Sequence, residues 1–237
     1  METLAFIAFV RLVVEGEMNK VSDQLHQNPL FAKMASPVGA TRKESSPFFI
    51  EPISHYLYAG DTALHLAAAA FRRPMAELLI AHGADCRSKN RMGAEPLHYA
   101  ADTNRWDPKG QVDVISYLSL VGADPNAVDR SGVTPLHRAV RTRSEPAVRA
   151  LLNRGANPVW PNKAGSTPLH LSVQPTGKGG SGSDEARRQQ VGIIKLLLEH
   201  GAKPSDQDAQ GKTVYEAASS SWIRELLTEA CRTNSMD

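Results

Sequence analysis

Four histidines, His65, His98, His137 and His170, recur in similar surroundings, and histidine is the side chain most often used for metal ligation or proton transfer near neutral pH. Their spacing argues against both. His65 to His98 and His137 to His170 are each 33 residues apart, so each histidine belongs to its own copy of a repeated unit. Units stacked at helix-packing distance stand roughly 10 Å apart, whereas one zinc ion needs its ligands about 2 Å away. No catalytic metal is expected. Cys86 and Cys231 form neither a ligand pair nor a redox pair, and no motif joins Cys86 to a histidine base. Ser-His-Asp and paired-carboxylate patterns do not stand out. Gly177-Lys-Gly-Gly-Ser-Gly matches the letters of a dinucleotide-binding loop. It lacks the strand before it that such a loop needs, and Asp184 and Glu185 would repel phosphate from any helix starting after it. It reads as a linker, and no cofactor is expected.

Composition narrows the field further. With 41% hydrophobic and 22% charged residues, a net charge of +2 and two distant cysteines, the sequence suits a soluble chain in a reducing compartment. The cytoplasm is the expected location. So small a net charge gives no bulk attraction to nucleic acid or anionic membranes. The apolar run Leu4 to Val10 has no basic residue before it and no small-residue cleavage pattern after it, so it reads as a helix and not as a secretory leader.

The elements that carry the histidines follow from the repeat itself. Asp61-Thr-Ala-Leu-His-Leu-Ala-Ala, Ala94-Glu-Pro-Leu-His-Tyr-Ala-Ala, Val133-Thr-Pro-Leu-His-Arg-Ala-Val and Ser166-Thr-Pro-Leu-His-Leu-Ser-Val are copies of one motif. Thr134 and Thr167 suit helix N-caps, and Pro135 and Pro168 the first turn, where an N–H would be unpaired anyway. A second apolar segment in each unit ends at Gly83, Gly122, Gly155 or Gly201, the left-handed position just past a helix. Gly60, Gly93, Gly132, Gly165 and Gly211 precede the first helices, where a hairpin-like turn needs positive φ. Each unit is therefore turn, helix, turn, helix. On these residues the chain resembles the ankyrin-repeat family, whose signature is a 33-residue period with T-P-L-H-x-A. The resemblance implies an all-α solenoid of stacked helix-turn-helix units with hairpin-like fingers, and motif histidines that hydrogen-bond the turns of neighbouring units.

The organisation expected is a degenerate N-terminal helical unit over residues 1–35, an irregular connection over 36–57, four repeats over 58–204, and a C-terminal cap and tail over 205–237. The step from motif histidine to closing glycine is 18 residues in two units (65 to 83, 137 to 155), but 24 in another (98 to 122) and 31 in the last (170 to 201). The extra residues are inserts near 102–110 and 174–187, the second of linker composition.

Such stacks are expected to contact partners through finger tips and the inner face of the first helices. Lys89, Arg91, Arg130 and Lys163 lie on fingers; Tyr99, Arg138, Arg141 and Thr142 follow motif histidines; Trp160 replaces the small residue Ala127 of the preceding unit. Arg138 and Arg141 share a helix face. With the finger cations they are expected to form a basic stripe, interrupted by Asp102 and Asp129, facing an acidic protein surface. The function expected is a monomeric, non-catalytic scaffold or targeting module presenting a rigid concave surface to a protein, without specific nucleic-acid or membrane binding. Two other readings fit the same sequence: a stoichiometric inhibitor occluding a partner enzyme, and an enzyme using the 36–57 segment.

Overall fold

The computed structural model describes residues 2–102, 107–175 and 183–233. Trp106 and the Gly177-Lys-Gly-Gly-Ser-Gly run lie outside them. The chain builds an all-helical stack in two rows. One row holds the short first helices, α3 (Ala63–Ala69), α5 (Pro96–Ala101), α7 (Pro135–Arg141), α9 (Pro168–Ser172) and α11 (Val214–Ala217). The other holds α4 (Arg73–Ala81), α6 (Pro108–Leu120), α8 (Glu145–Asn153), α10 (Asp184–Glu199) and α12 (Ser221–Thr233). Each first helix packs on the next, and each second helix from α4 to α10 does the same. No helix among the described residues is long and apolar enough to cross a membrane.

Local sequence explains each start. Pro96, Pro135 and Pro168 open α5, α7 and α9, and Thr134 Oγ1 accepts the His137 amide as an N-cap. All seven residues of α3 are buried, which its run of Ala and Leu allows. The fingers between units are tied edge to edge by one main-chain bond each: Arg91 N to Ala59 O (2.9 Å), Arg130 N to Met92 O (2.9 Å), Lys163 N to Ser131 O (3.0 Å) and Ala209 N to Ala164 O (3.1 Å). At Gly165 a Cβ would lie 2.2 Å from Ala209 N, and φ is +74°. Glycine is needed there twice over.

The inserts partly lengthen second helices. Pro108–Gly110 form the first turn of α6, capped by Asp107, whose side chain accepts the Gly110 amide at 3.0 Å. Asp184–Arg187 form the first turn of α10, capped by Ser183. Linker composition therefore ends at Ser183, since the acidic residues after it favour a helix N-terminus.

At the N-terminus, α1 (Glu2–Glu15) and α2 (Met18–Gln27) turn at Gly16, and α1 lays Phe6, Phe9, Val10 and Val13 in the core against α3. Residues 36–57 run back along the first finger. They carry 3-10 turns at Ser46–Phe48 and Glu51–Ile53 and a two-stranded hairpin of β1 (Phe49–Ile50) and β2 (His55–Tyr56), paired Phe49 to Tyr56 and Ile50 to His55. Ser54 turns this hairpin at φ 47°.

Candidate functional site

The motif histidines are consumed by the frame. In each, Nδ1 accepts the backbone N–H three residues earlier, which leaves the proton on Nε2. Nε2 then donates to the following finger: His65 to Ala94 O (3.1 Å), His98 to Val133 O (3.0 Å), His137 to Ser166 O (3.0 Å) and His170 to Lys212 O (3.3 Å). Burial and the nearby Arg138 charge push His98 down to about 4. His65 and His137 are lowered as well, chiefly by burial. Among the described residues no group of three or more His, Cys, Asp or Glu could hold a metal ion. The Cys86 thiol is raised by burial and donates to Val121 O at 3.6 Å, the opposite of an activated thiolate.

The cavity that stands out, of about 480 Å³, lies in the angle between fingers and first helices. Hairpin residues Ser54, His55 and Tyr56 form one side, finger residues Asn90, Arg91 and Met92 another, and Tyr99, Asp102, Arg138, Arg141 and Thr142 the first-helix side. Beneath it is a buried polar network. Tyr99 OH donates to Asp61 Oδ1 at 2.7 Å, and Asn90 Nδ2 donates to the same oxygen at 2.9 Å. Burial, then the Asp61 charge, raise the Tyr99 hydroxyl well above its usual range, so it stays a donor. The Tyr99 ring is covered by His55, with centroids 4.7 Å apart.

Two site assignments made from sequence need correction. Tyr99 is 1% exposed, so it is a core residue at the cavity floor and not a surface contact. Its hydroxyl finds partners 9 and 38 residues away, which makes burial affordable. Arg138 is also no free cation. Its side chain is 13% exposed and donates to Asp102 Oδ2 at 2.7 Å and Asp129 Oδ2 at 3.4 Å. Burial works against its charge, but Asp102, Tyr99 and Asp129 together more than offset this and the pKa is raised. Asp102 and Asp129 thus neutralise the stripe at its centre, where the sequence suggested only an interruption.

The remaining residues are distributed as follows. Arg141 shares Asp102 at 2.9 Å with its side chain 63% exposed. Thr142 lines the cavity and donates back to Arg138 O at 3.0 Å. Arg91 donates to Ala40 O at 2.6 Å and lies over the Tyr58 ring. Arg130 and Lys163 are exposed, and the finger ladder sets Arg91, Arg130 and Lys163 at equivalent places in successive fingers. Lys89 reaches the buried Glu95 at 3.6 Å. Trp160 is 40% exposed beside Val159, away from the cavity lining.

Sequence reasoning passed over His55, Tyr56, Tyr58, Asp61 and Asn90. Asn90 carried a signal. Asn90, Asp129, Asn162 and Asp208 each stand three residues before a finger glycine, and each Oδ1 accepts two finger amides. The aromatic residues of 55–58 carried none, because their place depends on how an irregular segment packs.

Comparison with known proteins agrees with this frame. A family model described as three ankyrin repeats matches residues 43–129 and 108–178, and a single-repeat model matches 164–209. The chain is similar to human "Ankyrin repeat and SOCS box protein 6", 31% identical over 67% of this chain and 38% of that protein. It is also similar to the Arabidopsis thaliana "E3 ubiquitin-protein ligase KEG" (36% identical, 41% of this chain, 6% of that protein). A third relative is the Danio rerio "Neurogenic locus notch homolog protein 1" (32% identical, 41% of this chain, 5% of that protein). The chain spans well under two thirds of each of these relatives.

Proposed function

Because this chain belongs to the ankyrin-repeat family, whose repeats mediate protein–protein interaction, we propose that it is a non-catalytic scaffold or targeting module of the cytoplasm. It acts as a monomer and holds a protein partner of acidic character along its fingers and the angle behind them. The observation that carries this reading is the finger ladder. It fixes Arg91, Arg130 and Lys163 in a row on a backbone already ordered, so association costs little conformational entropy. Pairing of Arg138 and Arg141 with Asp102 leaves a patterned surface, which favours a protein over a uniform polyanion.

Affinity capture from a native lysate, with Arg130→Glu plus Lys163→Glu as the control chain, tests the reading. A partner held by the wild type and lost by the control supports it. Equal capture by both chains sinks the finger row as the binding surface. If the captured partner is an enzyme whose turnover falls in proportion to bound chain, the function is inhibition and not scaffolding.

A further inference from the structure

The cavity between hairpin, fingers and first helices has an unequal supply of hydrogen-bonding groups. Every carboxylate oxygen on its wall or floor already accepts a bond. Asp61 takes Tyr99, Asn90 and the Tyr58 amide; Asp102 takes Arg138 and Arg141; Asp129 takes Arg138 and two finger amides. The donors are less committed. Arg91 forms no ion pair among the described residues and spends one terminal nitrogen on Ala40 O. Arg141 spends one on Asp102 and keeps most of its side chain exposed. The Tyr56 and Tyr58 hydroxyls make no hydrogen bond among the described residues. A ligand entering here meets surplus donors and must bring acceptors.

Charge and shape narrow the class. Arg91, Arg138 and Arg141 on the wall are matched by Asp102 and Asp129 on it and by the buried Asp61 beneath, so the charges balance. A monoanion gains a charge-assisted bond there, while a doubly charged group would be opposed by Asp102 and Asp129. The volume lies within the range of ligand pockets and exceeds what one carboxylate fills. The uncharged part of the wall mixes polar Ser54, Asn90 and Thr142 with aromatic rings, Tyr56 among them, and with Met92, which is 47% exposed.

We propose that this cavity is a specificity pocket for a glutamate or aspartate side chain, flanked by an apolar residue, on an extended segment of the partner protein. The acidic side chain bonds to Arg141 and Arg91, and its apolar neighbour lies against Met92 and Tyr56. This rests on the reading that the face behind the fingers binds protein. It adds that one position of the partner must be acidic, and that the 49–56 hairpin helps to choose it.

The test is a selection from a random peptide library, displayed without a free C-terminus, using the full chain as bait. One selected peptide is then made C-terminally amidated, with its acidic residue and with that residue changed to the amide. Expected are a fixed acidic position, at least ten-fold weaker binding of the amide variant, and the same loss for the acidic peptide on Arg141→Gln. The Arg141→Gln chain should bind both peptides equally and keep its unfolding midpoint, since Arg138 still holds Asp102. Selected peptides with no acidic position, or an amide variant that binds as well as its parent, overturn the pocket but leave the protein-binding reading standing. Peptides that need a free C-terminal carboxylate when it is restored overturn the side-chain assignment. No enrichment at all also overturns the pocket, and the capture control then decides the wider reading on its own.

Discussion

At Glu95 the repeat places a carboxylate where the other three units have threonine, as the cap of a first helix. Glu95 is 4% exposed, its Oε2 has no hydrogen-bond partner, and burial raises its pKa despite Lys89. A carboxyl whose folded pKa lies above its unfolded value favours folding most below the unfolded value and loses that contribution as pH rises through the folded one. Glu95→Thr is therefore expected to stabilise the chain at pH 7, by roughly 1 kcal/mol, the scale of one unsatisfied polar group removed. The gain should shrink below pH 4, as urea midpoints of both chains across pH would reveal. His65, His98 and His137 run the other way. Their folded pKa values are depressed, to about 4 at His98, so their contribution is present above the ordinary value near 6.5 and lost as pH falls towards 4. A wild-type midpoint that stays flat between pH 6.5 and 4 would contradict the buried, neutral rings. His137→Ala removes the donor to Ser166 O and the acceptor of the Thr134 amide. It should cost about 1 kcal/mol or more at pH 7, with no change expected in a histidine-independent property such as the pocket's peptide preference.

The fingers show how an element can be fixed by a single residue type. Gly155 and Gly165 both have positive φ, +85° and +74°, yet a Cβ at Gly155 meets nothing within 4 Å, while at Gly165 it collides with the next finger's backbone. Gly155→Ala should cost about 1 kcal/mol, the strain of a left-handed alanine. Gly165→Ala should cost at least twice that, because the Ala209 to Ala164 bond must also stretch. Equal losses in urea unfolding would show that the C-terminal finger yields without resistance. The same contrast explains what was legible in the sequence. Thr-Pro-Leu-His and the two glycine positions are dictated by helix starts, left-handed turns and one histidine bond per unit, so their spacing revealed the fold and the register of Arg91, Arg130 and Lys163. The cavity was not legible, because its partners are joined across units. Tyr99 meets Asp61 from 38 residues away, and Arg138 meets Asp102 from 36. Whether a basic residue is free or spent depends on such long-range pairs, and no periodicity within one helix reports them.

In a stack of this kind each unit rests only on its neighbours, so stability is built up locally and can be removed locally. The N-terminal end offers the clearest test. Helix α1 buries Phe6, Phe9, Val10 and Val13 at 0% exposure on the side facing α3, and Arg72 reaches across to Val14 O and Glu15 O. Burying a large apolar side chain contributes about 1.5–3 kcal/mol, so four of them amount to roughly 6–12 kcal/mol as an upper bound. That rivals the whole stability margin of an ordinary domain, about 5–15 kcal/mol. Removing residues 1–28 should therefore expose the wholly buried α3 and loosen α3 and α4. Helices α8, α10 and α12 have neighbours of their own and should remain folded. Hydrogen exchange resolves the two ends. Fast exchange confined to α3, α4 and the 36–57 segment, with α8 and α10 still protected, is the expected pattern. Uniform loss of protection would mean that the stack unfolds as one cooperative body. Protection unchanged everywhere would mean that α1 and α2 are not the cover of the stack's first face. Because the 49–56 hairpin also borders the cavity, the expected pattern carries a consequence for binding: the shortened chain should lose the acidic preference of its peptides before it loses helical signal, since the hairpin side of that wall lies at the end that loosens first.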